Sequence, residues 1–211
     1  RVVVGLPPVT RPLPGTGPER IQIREDDLRF WVDPYHGHKT GFYLDQRPTR
    51  RRLRALVAPG QTMLEAFSYT GSLAIAAAKG GARALCIEQD EACVALGKEN
   101  ARLNGVEPSI EWVAGNAFYW LDAHTHQTYD WVILDPPSLA KSKLEIIKAR
   151  SALHHLLARG LRSTASGGQM LLSVCTYHLL GAVEEIVRIA AEEDGVRLQV
   201  KDRWSQPEDH P

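Results

Sequence analysis

From residue 60 onward the chain alternates short apolar runs with stretches of helical periodicity, and no other feature constrains its fold as much. Runs of this kind, joined by helical crossovers, pair into a parallel sheet covered by helices on both faces. The spacing predicts strands at Thr62–Ala66, Ala84–Ile87, Ile110–Val113, Trp131–Leu134, Met170–Val174 and Arg197–Lys201. It predicts helices over about 72–79, 91–103, 144–161 and 179–193. Asp90 is placed to cap the second helix, and Gly105, preceded by Asn104, to stop it. The fold class expected is α/β, a mainly parallel, doubly wound sheet preceded by a small β-hairpin region.

The ends of these strands carry polar residues, and open α/β sheets bind ligands at the carboxyl ends of their strands. Trp131-Val132-Ile133-Leu134 stops abruptly at Asp135-Pro136-Pro137-Ser138. Two prolines fix φ and remove two donors, so the carbonyls there stay rigid and open to a planar polar ring gripped by its edge. The first strand runs through Glu65 into Phe67-Ser68-Tyr69-Thr70-Gly71 and a helix of small residues. A tight glycine-containing turn of that kind lets backbone amides approach a polar ligand. The next strand ends in Glu88, about 20 residues after Glu65, where an acid typically takes the hydroxyls of a ribose. The third is followed by Asn116, whose amide can reach an adenine edge. Together Glu65, Glu88, Asn116 and Asp135 indicate a cofactor that contains adenosine.

The chain divides into a Pro/Gly-rich connector over 1–20, a hairpin and His36–Arg47 segment over 21–55, and the strand–helix region over 56–211. Ile21–Glu25 and Leu28–Val32, split by Asp26-Asp27, read as the hairpin. Lys+Arg and Asp+Glu balance at 25 each, so net charge neither argues for nucleic acid nor excludes it. The dense basic cluster is Arg47, Arg50, Arg51, Arg52 and Arg54, either a phosphate-binding group or a solvated helix face. No run approaches the roughly 20 apolar residues of a membrane span. The three cysteines, widely spaced and without a CxxC pair, argue against disulfides or zinc and fit a cytoplasmic location. The eight histidines show no metal-ligand spacing with them.

Four segments carry a closer likeness: His36-Gly37-His38-Lys39-Thr40-Gly41-Phe42-Tyr43-Leu44-Asp45-Gln46-Arg47, then Phe67–Gly71, Asp135-Pro136-Pro137, and Ser173-Val174-Cys175-Thr176. They resemble the class I S-adenosylmethionine-dependent methyltransferases, and within them the bacterial 23S ribosomal RNA cytosine-C5 "I" family. The resemblance implies a Rossmann-like fold and S-adenosylmethionine as cofactor, bound by Phe67, Ser68, Tyr69, Thr70, Gly71, Glu88, Asn116, Asp135 and Pro136. In that family the Phe67–Gly71 loop holds the methionine end and the acid matching Glu88 holds the ribose. Asn116 stands where the family usually has Asp, so altered affinity is expected. The family's N-terminal RNA-binding PUA domain is absent, and its members continue beyond Asp209-His210-Pro211 into a final antiparallel strand. The chain therefore reads as a fragment, and Arg197–Lys201 as a strand that lacks its partner.

The resemblance also assigns the chemistry. Cys175 matches the nucleophile, whose thiolate adds to cytosine C6 and makes C5 nucleophilic. Asp135, protonated or hydrogen-bonded to N3, draws electrons from the ring; burial in a dry crevice would raise its pKa. Cys86 and Cys93 are expected to be packing residues. Pro137, Lys141, Arg47, Arg50 and Arg51 are expected to meet the substrate, with Lys143 near them, and Tyr43 and Tyr69 either stack on a base or pack inside. The partner implied is 23S ribosomal RNA, with a homodimer left open and no membrane. Three rivals stay open: an rRNA methyltransferase acting at another base position without a cysteine nucleophile, a non-catalytic RNA-binding scaffold, and a small-molecule methyltransferase.

Overall fold

The computed structural model describes residues 17–140, 142–205 and 207–208. Most of the 1–20 connector, Lys141 and Asp209-His210-Pro211 lie outside the described residues.

Strands β1 (Ile21–Glu25) and β2 (Leu28–Val32) form an antiparallel hairpin whose turn is Asp26-Asp27. A 3-10 turn, Leu44–Gln46, leads into α1 (Arg47–Leu56). Then follow β3 (Thr62–Ala66), α2 (Ser72–Lys79), β4 (Arg83–Glu88), α3 (Glu91–Leu103), β5 (Ile110–Ala114), α4 (Ala117–Ala123), β6 (Tyr129–Leu134), α5 (Ile146–Arg162), β7 (Thr164–Leu172) and α6 (Val183–Glu193). The larger sheet has the order β5-β4-β3-β6-β7, and every pairing is parallel. The order reverses between β3 and β6, which makes their carboxyl ends the switch point where such sheets bind ligands.

The two-residue period of the strands sorts side chains onto two faces. Met63, Ala84, Cys86, Trp131 and Ile133 pack with the hairpin and with α1, α2 and α3. Leu64, Ala66, Ile87, Val132 and Leu134 pack with α4 and α5 on the other face, and α6 covers α5. The aspartate cap at Asp90 forms as expected, accepting from Ala92 N at 2.8 Å, and Gly105 takes the left-handed conformation at φ 68°.

Two expectations fail. Residues 197–201 form no strand and are exposed throughout, because a β-strand requires a partner ladder and the sheet of described residues ends at β7. Residues 173 and 174 likewise fall beyond β7, which ends at Leu172. Two helices, α1 and α4, were not predicted as such.

The hairpin is docked by polar groups that its sequence does not advertise. The outer edge of β2 has free backbone groups, and Asn100 on α3 and Asn104 at its C-cap, one turn apart, satisfy them. Asn100 Oδ1 accepts from Trp31 N at 2.7 Å while its Nδ2 donates to Trp31 O at 3.2 Å. Asn104 does the same for Arg29, at 3.0 Å and 2.6 Å. The i, i+4 helical spacing thereby matches the i, i+2 spacing of outward-facing strand residues.

Candidate functional site

The carboxyl ends of β3, β4, β5 and β6 line one crevice, and each end is fixed locally. After β3 the chain turns sharply, with Phe67 at φ 65°, Tyr69 at φ 50° and Gly71 at φ 67°. Left-handed conformations at two non-glycine residues are costly and cluster at ligand sites. Gly71 has a second requirement, since a Cβ there would sit 2.3 Å from the Trp112 ring. Tyr69 N donates to Glu88 Oε2 at 2.8 Å, and Asp90 N donates to Glu88 Oε1 at 3.0 Å. A carboxylate offers about four acceptor positions, so half of Glu88's acceptor capacity is left for the two hydroxyls of a ribose. The Ser68 hydroxyl is buried in the same turn and has no hydrogen-bond partner among the described residues. An orphaned buried hydroxyl beside an oriented acid fits a polar ligand such as an adenosine-containing cofactor.

Glu65 does not belong to the open crevice. It is 2% exposed, accepts from Ala74 N at 2.9 Å and receives the Cys86 thiol at 3.7 Å, so it anchors the first turn of α2. Burial pushes its pKa up to about 8. Asn116 is also partly committed. Its Oδ1 caps α4 by accepting from Phe118 N at 2.9 Å and Tyr119 N at 3.3 Å. With Oδ1 committed to the cap, the Nδ2 donor is the part of the Asn116 amide left for an adenine edge.

Asp135 lies past the end of β6 and is half-buried, with Pro136 buried and Pro137 exposed after it. Desolvation raises its pKa to about 6, against a lowering hydrogen bond from Ser173. Ser173 N donates to Leu134 O at 2.8 Å and so extends the β6–β7 pairing past the strand end. Leu139 N donates to Thr176 Oγ1 at 2.9 Å, which ties the proline turn to the Ser173–Thr176 segment. Between these ties Cys175 is exposed, and its Sγ donates to Pro136 O at 3.8 Å. Its thiol is raised by desolvation first and by the Asp135 carboxylate second, with the Lys39 charge opposing. Cys86 is fully buried in β4 and Cys93 is half-buried on α3.

The His36–Arg47 segment closes the crevice. His38 stacks on Tyr69 at 5.4 Å, and Tyr43 meets it edge-on at 5.4 Å. The Tyr69 hydroxyl accepts from His38 N at 3.2 Å and donates to Gly41 O at 3.3 Å. Tyr69 is therefore occupied by the protein's own segment rather than left free to stack on a base. A Cβ on Gly41, at φ 84°, would meet Asp33 O at 2.4 Å. Lys39 and Asp45 approach one another at 3.9 Å, and Gln46 Nε2 donates to Ser173 Oγ at 3.4 Å. Lys39, Asp45, Gln46 and Ser173 were not singled out from sequence, although all four sit inside segments that were.

The arginine cluster splits. Arg50 is 1% exposed and points inward, donating to both Glu25 carboxylate oxygens at 2.7 and 2.5 Å, so it is not a surface phosphate contact. It shares the buried face of α1 with Leu53. Arg51 and Arg54 pair at the surface with Asp26 and Asp27, and Arg52 lies over the Trp204 ring at 5.2 Å. Arg24, Arg47 and Arg51 line a cleft between β1 and α1 together with Glu25, Asp26 and the exposed Leu44. Among the described residues no His, Cys, Asp or Glu cluster could hold a metal, and no helix is long and apolar enough to cross a membrane.

Residues 9–211 match the family model for S-adenosylmethionine-dependent methyltransferases. Ribosomal RNA large subunit methyltransferase I of Alteromonas mediterranea is 31% identical over 212 residues, spanning 98% of this chain and 53% of that protein. The protein of the same name from Aeromonas hydrophila is 33% identical over 206 residues, spanning 93% of this chain and 51% of its own length. The chain thus spans about half the length of the curated relatives it matches. A proposed methyltransferase crystallised with SAH superposes with a TM-score of 0.78 at 27% identity, over 92% of this chain and 52% of the other. An S-adenosylmethionine-dependent methyltransferase from Agrobacterium tumefaciens shares the fold, with a TM-score of 0.72 at 18% identity over 84% of this chain and 60% of its own. With a left-handed loop after β3, an acid at the end of β4 and a family-model match over residues 9–211, the chain belongs to the S-adenosylmethionine-dependent methyltransferase family.

Proposed function

We propose that the protein methylates C5 of a cytosine in 23S ribosomal RNA through a covalent adduct with Cys175. The observation that carries this reading is the approach of Cys175 Sγ to the Asp135-Pro136 turn, next to the Phe67–Gly71 loop. The cofactor supplies an electrophilic methyl group; Phe67–Gly71, Glu88, Asn116, Asp135 and Pro136 are the residues that would hold it. Cytosine C5 needs activation, and a thiolate provides it by forming a bond to C6. As that bond forms, the C5–C6 π pair shifts to C4–C5, the C4–N3 pair moves to N3, and N3 takes a proton from Asp135. C5 is then an enamine carbon able to accept the methyl group. Loss of the C5 proton to a base, expulsion of the Cys175 sulfur and return of the N3 proton to Asp135 restore the aromatic ring.

Pro137 borders the base pocket. Arg47 and Arg51, with Arg24 in the same cleft, would follow the RNA backbone, since guanidinium groups suit phosphates. The 3-10 turn Leu44–Gln46 joins this cleft to the crevice, so a strand lying in one can deliver an unstacked base to the other. Lys141 is assigned to phosphate contact from sequence alone.

Incubation with unmethylated 23S ribosomal RNA and labelled S-adenosylmethionine, followed by mass mapping of nucleotides, tests the reading. It predicts 5-methylcytosine at a single site; label on an amino group or a ring nitrogen would overturn it. A second reading, transfer to such a nitrogen without an adduct, draws on the raised pKa of the Cys175 thiol. It requires that Cys175→Ala leave the rate unchanged.

A further inference from the structure

The outer face of the β1–β2 hairpin carries positive charge that the protein itself leaves unmatched. Alternation along the two strands turns Ile23, Glu25, Leu28, Phe30 and Val32 inward and puts Gln22, Arg24, Arg29 and Trp31 on the other face. Arg24 and Arg29 are exposed, and Trp31 is partly exposed. Arg24 stands directly across from Arg29, and Gln22 across from Trp31. The N–H and C=O of Arg29 both go to the Asn104 side chain, at 3.0 and 2.6 Å, so Arg24 and Arg29 form a non-hydrogen-bonded pair. Pairs of that kind approach to about 4.5 Å at Cα and bring their side chains closest together. Like charges placed there are destabilising.

The hairpin's own acids do not relieve them. Glu25, Asp26 and Asp27 are each held by an arginine of α1, namely Arg50, Arg51 and Arg54. Among the described residues the Arg24 and Arg29 side chains have neither an ion-pair nor a hydrogen-bond partner. Two further observations narrow the anion that would match them. Trp31 offers part of an indole ring on the same face, and guanidinium groups beside an aromatic ring suit a phosphate backbone with its bases. An acidic peptide would make no use of that ring. Arg24 also lines the cleft with Arg47 and Arg51, so the hairpin face continues that cleft. The cleft in turn reaches the crevice through Leu44–Gln46, where Gln46 Nε2 donates to Ser173 Oγ at 3.4 Å.

We propose that the outer face of the hairpin binds a single strand of RNA, Arg24 and Arg29 holding phosphates and the Trp31 ring stacking on an unpaired base beside them. The proposal rests on RNA as the substrate. It carries the RNA path beyond the cleft to nucleotides that flank the target, and it explains why a destabilising arginine pair is kept on a hairpin otherwise well supplied with ion pairs.

The test is affinity for a 23S ribosomal RNA fragment across a salt series, without cofactor. Arg24→Gln with Arg29→Gln should lower the slope of log affinity against log salt by about 1.4, two contacts at about 0.7 each on a single strand. Lysine at both positions should keep the slope. The urea midpoint of the glutamine variant should not fall, since the substitution removes a repulsion. Trp31→Leu should weaken binding by about fivefold or more with the slope unchanged; the arginine variants decide alone if it does not fold. A parent-like slope in the double glutamine variant overturns the proposal, and so does a loss of affinity that only follows a loss of stability. Weakened binding of polyglutamate with RNA affinity intact would assign the face to an acidic protein and overturn it as well. Binding without cofactor is independent of the product formed. An unchanged slope with 5-methylcytosine still made removes the hairpin alone, whereas a lowered slope with label on a ring nitrogen removes the cytosine-C5 reading alone.

Discussion

The sulfur of Cys175 lies 3.8 Å from the carbonyl oxygen of Pro136, as donor to acceptor. That contact joins the segment after β7 to the turn after β6, and it places a thiol at the edge of the pocket that Asp135 enters. Pro136 has no N–H, so its backbone offers the thiol an acceptor and nothing that would stabilise a thiolate. The thiol form is thus the resting form, and ionisation has to accompany substrate binding.

Cys175→Ala should lower RNA methylation by at least about a thousandfold, the scale seen when a nucleophile is removed. S-adenosylmethionine affinity should be unchanged, because the Phe67–Gly71 loop and Glu88 are untouched. RNA carrying 5-fluorocytosine at the target should leave a protein–RNA adduct on a denaturing gel with the parent protein, since C5 then carries no proton for a base to remove and the sulfur cannot be eliminated. Full activity of the variant, or an adduct formed by it, would exclude the covalent route.

Asp135→Asn should make Cys175 more reactive toward alkylating agents at neutral pH. The carboxylate is, after desolvation, the largest cause that raises the thiol. Removing its negative charge favours the thiolate, so the pH midpoint of alkylation moves down. The same variant should lose methylation, which separates thiol ionisation from proton supply at N3. An unmoved alkylation midpoint would mean that the two groups are electrostatically independent.

Arg47→Glu and Arg51→Glu should each weaken RNA binding irrespective of the target base. Loss of one phosphate contact reduces the slope of log affinity against log salt by about one. The measurement is RNA affinity across a salt series. Arg50→Gln should instead act through stability, because that guanidinium is enclosed with Glu25. A salt slope unchanged in both surface variants would remove the cleft from the RNA path.

Glu65→Gln should flatten the dependence of stability on pH. Unfolded, this carboxyl ionises near 4.5; folded, it holds its proton to about 8. Its contribution is therefore complete below pH 4.5, falls as pH rises from there to about 8, and is level beyond. Glutamine keeps an oxygen for Ala74 N and carries no charge to bury. Urea midpoints at pH 5 and pH 8 should converge in the variant relative to the parent, and an equal fall in both proteins would refute the assignment.

The sheet was legible because buried parallel strands are continuous apolar runs, and Thr62–Ala66, the hairpin and the helix over 91–103 fell where their patterns put them. The site was legible where a motif marks a strand end, as at Asp135 and Phe67–Gly71. Orientation was not. Whether Arg50 faces solvent or Glu25 depends on the roll of α1, and five arginines within eight residues hide a helix that buries one of them. Asn116 could not be seen as a cap until α4 was known to start after it. Nor could 197–201 be rejected from sequence, since Val196, Leu198 and Val200 alternate as a strand would and yet are exposed, with no paired strand among the described residues.

Arg50→Ala should destabilise the protein by about 3–5 kcal/mol, the usual result of leaving one member of a buried ion pair alone. The guanidinium also donates to Tyr43 O at 3.0 Å and lies 4.6 Å from the Phe42 ring centroid, so its loss loosens the segment that closes the crevice. Glu25→Gln should be milder, because the amide oxygen still accepts from Arg50. Arg50→Ala with Glu25→Leu should recover part of the loss, since the stranded carboxylate is then gone. Denaturant unfolding of the parent, Arg50→Ala, Glu25→Leu and the double variant completes the cycle. A double variant no more stable than Arg50→Ala would show that the contacts to Tyr43 and Phe42, rather than the charge pair, hold the hairpin against α1.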